Sequence, residues 1–386
     1  MIVLRERMQS RAQTHKSKNM FLHTCISHNK HFKGYVDDEF MKDRVKILIT
    51  FHIATELLNK IRSVNPHIDV LYDPTLLGKP RFSSDQHGDS IQRTSEQEAQ
   101  LKSMMAESEI LFGYVPAGYS KDIKKWFPKL HWNQSPSAGI GWGAKQSGLT
   151  ETDITFTTAG GVHNTPLAEF CLMAMLMFTK KYFLMAEVKA KKHWARTCST
   201  ELREKTLAIV GLGKVGREIA RVAKCLGMRV IGTKRIIEGV SPSSLNVEEL
   251  YRWTDLKPML NQADFLVLIC PETEETRGLI GKKELSQMKK GSVLINISKG
   301  AVVDEDALAD ALRSGQLGGA ALDVFRTEPL PLDSPLWDMP NTIISPHSAS
   351  TQDTQNAKLT EVFIDNLRRY LAGEQLINIL DKKLLY

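Results

Sequence analysis

The chain has 386 residues, of which 42 % are hydrophobic and 25 % charged, an ordinary globular composition with room for two domains. Its net charge of +7 sits at one end: residues 1–36 hold seven Lys/Arg and one acid, while the rest carries 44 Lys/Arg against 43 Asp/Glu. A nearly neutral body gives no support to nucleic-acid binding. The longest apolar run, residues 170–178, is about half a membrane span and reads as a core or interface helix.

Taken in chain order, residues 1–43 form a basic extension without the apolar core of a secretory signal. Three origins fit it: a disordered extension, a mitochondrial presequence, or translation begun upstream of Met41. A poor amphipathic face weighs against import, so a cytoplasmic protein is expected. The five cysteines, Cys25, Cys171, Cys198, Cys225 and Cys270, are far apart and lack a Cys-x-x-Cys pair. They point to a reducing compartment, with neither a disulfide framework nor a zinc site. The cluster His23, Cys25, His28 and His31 reads as adventitious spacing in the extension, and no metal is expected.

Residues 44–158 alternate strand-like and helix-like pieces. "VKILITF", "IDVLY", "EILFGYV", "LHWNQS" and "DITFTTA" read as strands; "ATELLNKIRS" and "EAQLKSMMAES" read as helices. This βα alternation predicts a mostly parallel sheet. The polar stretch from Gly78 to Gln97 reads as a surface loop. A long helix over 165–190 follows, with Thr165 as N-cap and Pro166 at its first position. A second alternating block carries strands "TLAIVG", "RVIGT", "DFLVLIC", "SVLINIS", "GAALDV" and "NTIIS", with a helix from Val215 to Leu226 and others at "KKELSQMKK" and "EDALADALRS". An amphipathic helix at about Thr351 to Leu371 closes the chain.

"GLGKVG", Gly211 to Gly216, has the spacing G-x-G-x-x-G after an apolar strand and before a helix. In that context it predicts dinucleotide binding. Gly211 permits the turn, Gly213 lets a pyrophosphate approach, Gly216 lets helix and strand pack, and the N-terminus at Lys214 and Val215 faces the phosphates. The next strand ends in Thr233, Lys234 and Arg235, where an NAD site usually carries an acid for the ribose 2′-hydroxyl. Two cations and a hydroxyl attract a 2′-phosphate, so NADP(H) is favoured over NAD(H). Three further polar features follow strands of this block: Lys299, Asp323 with Glu328, and His347. In an open parallel sheet such carboxyl ends form the ligand edge.

Together "VLINISKGAVVDEDALADAL", "GAALDVFRTEPLPLDSPLWDMPNTIISPHSA" and "LAIVGLGKVGREIARVAKCLGMRVIG" resemble the D-isomer-specific 2-hydroxyacid dehydrogenases, nearest the glyoxylate/hydroxypyruvate reductase-like branch. The resemblance covers about residues 44–386. It implies an α/β protein of two doubly wound parallel-sheet domains. Residues 44–158 plus 346–386 would form a discontinuous flavodoxin-like substrate domain, and 159–345 a Rossmann cofactor domain. It also implies a homodimer, joined through the cofactor domain and the 165–190 helix. His347 becomes the general acid/base and Glu328 its partner, in keeping with the proton that reduction of a 2-oxo acid requires. Asp323 would hold the nicotinamide amide. Cys270, Pro271 and Thr276 would line the adenine side, with Ser298 also in the cofactor site. Ala138 and Gly139 would cradle the substrate carboxylate through their N–H groups.

Lys299 departs from the family pattern, which has arginine there. Lysine keeps the charge and loses the planar two-pronged grip. Three readings stay open at this stage: a weaker version of the same role, a different substrate, or cofactor binding with little turnover. The expected activity is NAD(P)H-dependent reduction of a small 2-oxo acid such as glyoxylate or hydroxypyruvate to the D-2-hydroxy acid. The alternative is a nucleotide-sensing scaffold on a dehydrogenase fold. Neither nucleic acid nor membrane is an expected partner.

Overall fold

The computed structural model describes residues 44–386. The basic extension and its His23, Cys25, His28 and His31 cluster lie outside the described residues. Two parallel sheets make up the framework. The first contains β1 (Val45–Ile49), β2 (Ile68–Leu71), β3 (Ile110–Phe112), β4 (Trp132–Gln134) and β5 (Thr155–Thr157), ordered β2-β1-β3-β4-β5. This is the flavodoxin-like order. The second contains β6 (Thr206–Val210), β7 (Arg229–Lys234), β8 (Glu249–Arg252), β9 (Phe265–Leu268), β10 (Ser292–Asn296), β11 (Leu317–Leu322) and β12 (Thr342–Ile344). Its order, β12-β11-β10-β9-β6-β7-β8, is the Rossmann order with one strand added at the edge.

Both sheets are covered on two faces, which is why their central strands read as continuous apolar runs. Every residue of β6, β9 and β10 is buried. On one face of the larger sheet the helices Asn164–Thr179 and Lys214–Cys225 contribute Ala168, Cys171, Ile219 and Ala223 to the core. On the other face, Leu308 and Leu312 from helix Glu305–Arg313 pack with Leu285 and Met259. The smaller sheet borrows a helix from the far end of the chain. Leu359, Phe363 and Leu367 of Gln355–Leu371 join Ile47, Phe112 and Trp132, and the Phe363 ring stacks on Phe112 at 4.2 Å. Fully burying one such aromatic is worth about 1.5–3 kcal/mol.

Four expectations change. The 165–190 helix begins at Asn164 and stops at Thr179; Lys181 has φ 57°, and a second helix runs Tyr182–Ala190. A left-handed residue cannot continue a right-handed helix, and apolar pattern does not reveal it. Thr165 therefore lies inside the first turn instead of capping it. β8 gave no signal because it is an edge strand with no buried residue. The Gly78–Gln97 stretch ends within helix Ser95–Glu107, where Thr94 and Gln97 form a capping box. Its middle wraps a buried carboxylate: Asp85 accepts from Arg81 Nε at 2.8 Å and from the N–H groups of His87 and Gly88 at 3.0 and 3.1 Å. Finally, the chain continues past the last helix into a packed tail, where the Leu380 N–H donates to Phe156 O at 2.8 Å.

Candidate active site

The order of the larger sheet reverses between β6 and β9, so a crevice opens at their carboxyl ends. Gly211 leaves β6 with φ 111°, and a β-carbon on it would stand 2.7 Å from Ile269 O, just past the end of the neighbouring strand β9. A β-carbon on Gly216 would meet Gly211 O at 2.1 Å, whereas one on Gly213 would meet nothing within 4 Å. Two glycines thus make the close turn and the third leaves space over the helix N-terminus, a cradle that fits a dinucleotide pyrophosphate. Val215 packs against the core beneath. The Lys214 ammonium turns away, to Asn378 Oδ1 at 2.5 Å and Gly160 O at 3.3 Å, which leaves its backbone N–H for a phosphate.

Thr233 is buried at the end of β7, and its carbonyl accepts the Leu212 N–H at 3.0 Å. Lys234 is half-buried; Arg235 is exposed and paired with Glu275 at 2.8 Å. Glu275 belongs to the turn after β9, which Thr276 shapes by donating to Pro271 O at 2.7 Å and accepting the Thr273 N–H at 2.8 Å. Burial pushes the Cys270 thiol up to about 12, so it is an inert wall. These residues gather on one side of the crevice.

The other side is built from the exits of β10, β11 and β12. Buried Asn296 accepts the Ser298 N–H at 3.1 Å and its hydroxyl at 2.8 Å, and donates to Lys299 O at 3.2 Å. This clamp sets the direction in which Lys299 leaves the sheet. The lysine reaches the turn after β4: its Cε lies 3.5 Å from where a β-carbon on Gly139 would stand. Ala138 and Gly139 are exposed there, their N–H groups unbonded among the described residues. Gly300 admits the next strand exit, since a β-carbon on it would fall 1.9 Å from Phe325 C.

That approach brings in Glu328 and His347, with Glu328 Oε2 and His347 Nδ1 2.7 Å apart. Burial tends to raise the Glu328 carboxyl, but hydrogen bonds from His347 and the Phe325 N–H, with the charges of His347 and Lys299, hold it below its ordinary value. Asp323, buried at the end of β11, shapes the histidine's loop. Its Oδ1 accepts Ser345 Oγ at 2.7 Å and the N–H groups of Ser348 and Ala349 at 2.7 and 2.8 Å. Its carbonyl takes the His347 N–H at 2.8 Å, and His347 itself has φ 53°. Asp323 Oδ2 stays free among the described residues for a further donor.

Lys299, Glu328, His347 and Gly139 therefore converge, while Thr233, Lys234, Arg235, Cys270 and Thr276 form a separate cluster along the crevice. Asn296 and Gly300 were missed by sequence reasoning. The run "NISKG" contained both, but the clamp depends on a side chain that doubles back onto its own loop. Among the described residues no group of His, Cys, Asp and Glu could hold a metal ion, and no helix is long and apolar enough to cross a membrane.

A Rossmann sheet with a glycine cradle, beside a histidine–carboxylate pair and a lysine, defines a nicotinamide-dependent oxidoreductase. The family described as "D-isomer specific 2-hydroxyacid dehydrogenase, NAD binding domain" matches residues 172–349. A glyoxylate/hydroxypyruvate reductase B of Pectobacterium carotovorum subsp. carotovorum is 33 % identical over 271 residues, 69 % of this chain and 83 % of that one. An (S)-sulfolactate dehydrogenase of Chromohalobacter salexigens is 37 % identical over 223 residues, 57 % and 71 % of the two chains. A solved D-isomer-specific 2-hydroxyacid dehydrogenase of Xanthobacter autotrophicus Py2, in complex with NADPH and MES, is 25 % identical with a TM-score of 0.69, covering 88 % of this chain and 100 % of that one. The chain belongs to the D-isomer-specific 2-hydroxyacid dehydrogenase family, in its glyoxylate reductase-like branch, and is an oxidoreductase of 2-hydroxy acids.

Proposed function

We propose that the protein reduces a small 2-oxo acid, glyoxylate to glycolate or hydroxypyruvate to its D-2-hydroxy acid, with NADPH preferred over NADH. The 2.7 Å contact between Glu328 and His347, in one cluster with Lys299 and Gly139, carries this reading. Residues 44–158 with 346–386 act as the substrate domain and 159–345 as the cofactor domain. The helix Gln355–Leu371, buried against β1, β3 and β4, supports that division.

Nicotinamide, when bound, supplies the hydride. Gly211, Gly213 and Gly216 would hold the pyrophosphate with the N–H groups of Lys214 and Val215, and Asp323 Oδ2 would take the carboxamide. Glu328 occupies His347 Nδ1, which leaves Nε2 as the ring atom that gives a proton to the carbonyl oxygen. Lys299 and the N–H groups of Ala138 and Gly139 hold the substrate carboxylate, and the lysine charge also stabilises the alkoxide as it forms. Thr233, Lys234 and Arg235 would hold the 2′-phosphate, Cys270, Pro271 and Thr276 would line the adenine side, and Ser298 would belong to the same cofactor site.

The chain forms a homodimer through the helices Asn164–Thr179 and Tyr182–Ala190. Met173, Leu176, Tyr182, Leu184 and Met185 are exposed together, and the second helix buries none of its residues. An apolar face of this kind marks an interface. The deciding experiment is NADPH and NADH oxidation with glyoxylate, hydroxypyruvate, pyruvate and 3-sulfopyruvate. Turnover on the first two supports the reading. Cofactor binding without turnover on any of them supports a nucleotide-sensing scaffold.

A further inference from the structure

Two polar rings stand at the exit of the smaller sheet with their heteroatoms unspent. Tyr114 follows β3 after Gly113, and its carbonyl accepts Thr50 Oγ1 at 2.7 Å beside the exit of β1. His87 stacks on it, centroids 4.7 Å apart and planes 15° apart. The histidine is held from behind. Asp85 takes its N–H at 3.0 Å; the neighbouring Gln86 donates to Asn356 Oδ1 at 2.7 Å and accepts from Gln355 Nε2 at 3.0 Å. At the root of the loop, His52 Nε2 bonds Gly78 O at 2.8 Å. Among the described residues, neither the His87 ring nitrogens nor the Tyr114 hydroxyl make a hydrogen bond.

The stack stands on the same carboxyl edge of the smaller sheet as the turn that Lys299 reaches. β3 and β4 are neighbours, and the turn after β4 carries Ala138 and Gly139. Resting on the 2-oxo acid reading above, we propose that His87 and Tyr114 read the substituent beside the substrate's keto carbon and select a neutral hydroxymethyl group over an anionic one. The charge balance supports this. Burial lowers the His87 imidazole from its ordinary value; Asp85 opposes this, while Arg81 and His347 add to it, and the net effect favours the neutral ring. Burial pushes the Tyr114 phenol up to about 12, so it too stays neutral. Arg81, the loop cation that acts on His87, is spent on Asp85 through two contacts of 2.8 and 3.1 Å.

Glyoxylate supplies the internal reference, because it has hydrogen where hydroxypyruvate has the hydroxymethyl group. The measurement is kcat/KM for glyoxylate, hydroxypyruvate and 3-sulfopyruvate on the full chain and on His87→Ala, His87→Phe and Tyr114→Phe. Each variant should lower the hydroxypyruvate-to-glyoxylate ratio by about tenfold for both His87 changes and by a similar or smaller factor for Tyr114→Phe, the size of a lost neutral hydrogen bond. His87→Phe keeps a stacked ring, so wild-type selectivity in that variant overturns the proposal. An unchanged ratio in all three does so too, as does a wild type that prefers 3-sulfopyruvate to hydroxypyruvate. A wild type that reduces none of these acids overturns the 2-oxo acid reading and this inference with it, a result distinct from every other.

Discussion

Lys299 and Gly139 face each other across the crevice, with the lysine Cε 3.5 Å from the point where a β-carbon on the glycine would sit. They come from different sheets, one after β10 and one after β4. The lysine is therefore a bridging charge and its head has left the strand edge. Because Gly139 carries no side chain, the same gap can take a guanidinium. Lys299→Arg should turn over glyoxylate at least as well as the parent enzyme, and Lys299→Met should lose about 10²–10³ in kcat/KM. A large loss in Lys299→Arg would mean that the site is tuned to a point charge and to another substrate.

Removing the proposed proton donor should cost more than weakening its support. His347→Ala is expected to lower kcat by about 10²–10⁴, and Glu328→Gln by less, since the imidazole stays while its orientation loosens. Pre-steady-state NADPH oxidation separates this loss from slow product release. Near-normal turnover in His347→Ala would remove the histidine from the chemistry.

Cofactor binding rests on backbone space. Gly211→Ala puts a methyl 2.7 Å from Ile269 O at φ 111° and should abolish NADPH binding in a fluorescence titration. On the proposed NADPH preference, cofactor choice rests on charge. Lys234→Ala with Arg235→Ala should raise KM for NADPH by about 10–100-fold and leave NADH nearly unchanged. Glu275→Gln releases Arg235 and should move the preference further towards NADPH. Equal effects on both cofactors would place the 2′-phosphate elsewhere.

The loop that carries His87 depends on Asp85. Burial alone would raise this carboxyl, but Arg81 and the N–H groups of Arg81, Gly88 and His87 outweigh it and hold it far below 3.8. A depressed value stabilises the folded state above the unfolded-state value, and the benefit is lost as pH falls towards the folded one. Asp85→Asn should therefore cost about 1–3 kcal/mol at pH 7 in urea titrations. The gap between variant and parent should narrow below pH 3.8, where the unfolded chain's carboxyl takes up its proton while the folded one is still ionised. A gap that stays constant with pH would mean that the aspartate acts by packing alone.

Much of the fold was legible because its signals are local. The buried runs of β6, β9 and β10, and the glycine spacing after β6, need only a few consecutive residues to be recognised. Lys299, Glu328 and His347 were legible as strand-end residues of the second block. Other features had no local signal. Lys181 breaks a helix that apolar pattern continues, and β8 buries nothing. The Asp85 hub lies in a stretch whose composition is simply that of a polar loop.

The sequence by itself determined two parallel sheets, a dinucleotide cradle and the residues at the strand ends, since backbone periodicity and glycine sterics act over one turn or one strand. Only the tertiary structure decided which of those ends share a space. Asn296 and Gly300 turn Lys299 towards Gly139, Asp323 fixes the loop that sets His347 on Glu328, and a helix from the end of the chain holds Gln86 beside His87. Each is a contact between residues distant in the chain or a side chain folding back on its own backbone, and its geometry exists only once the cores of both sheets have packed.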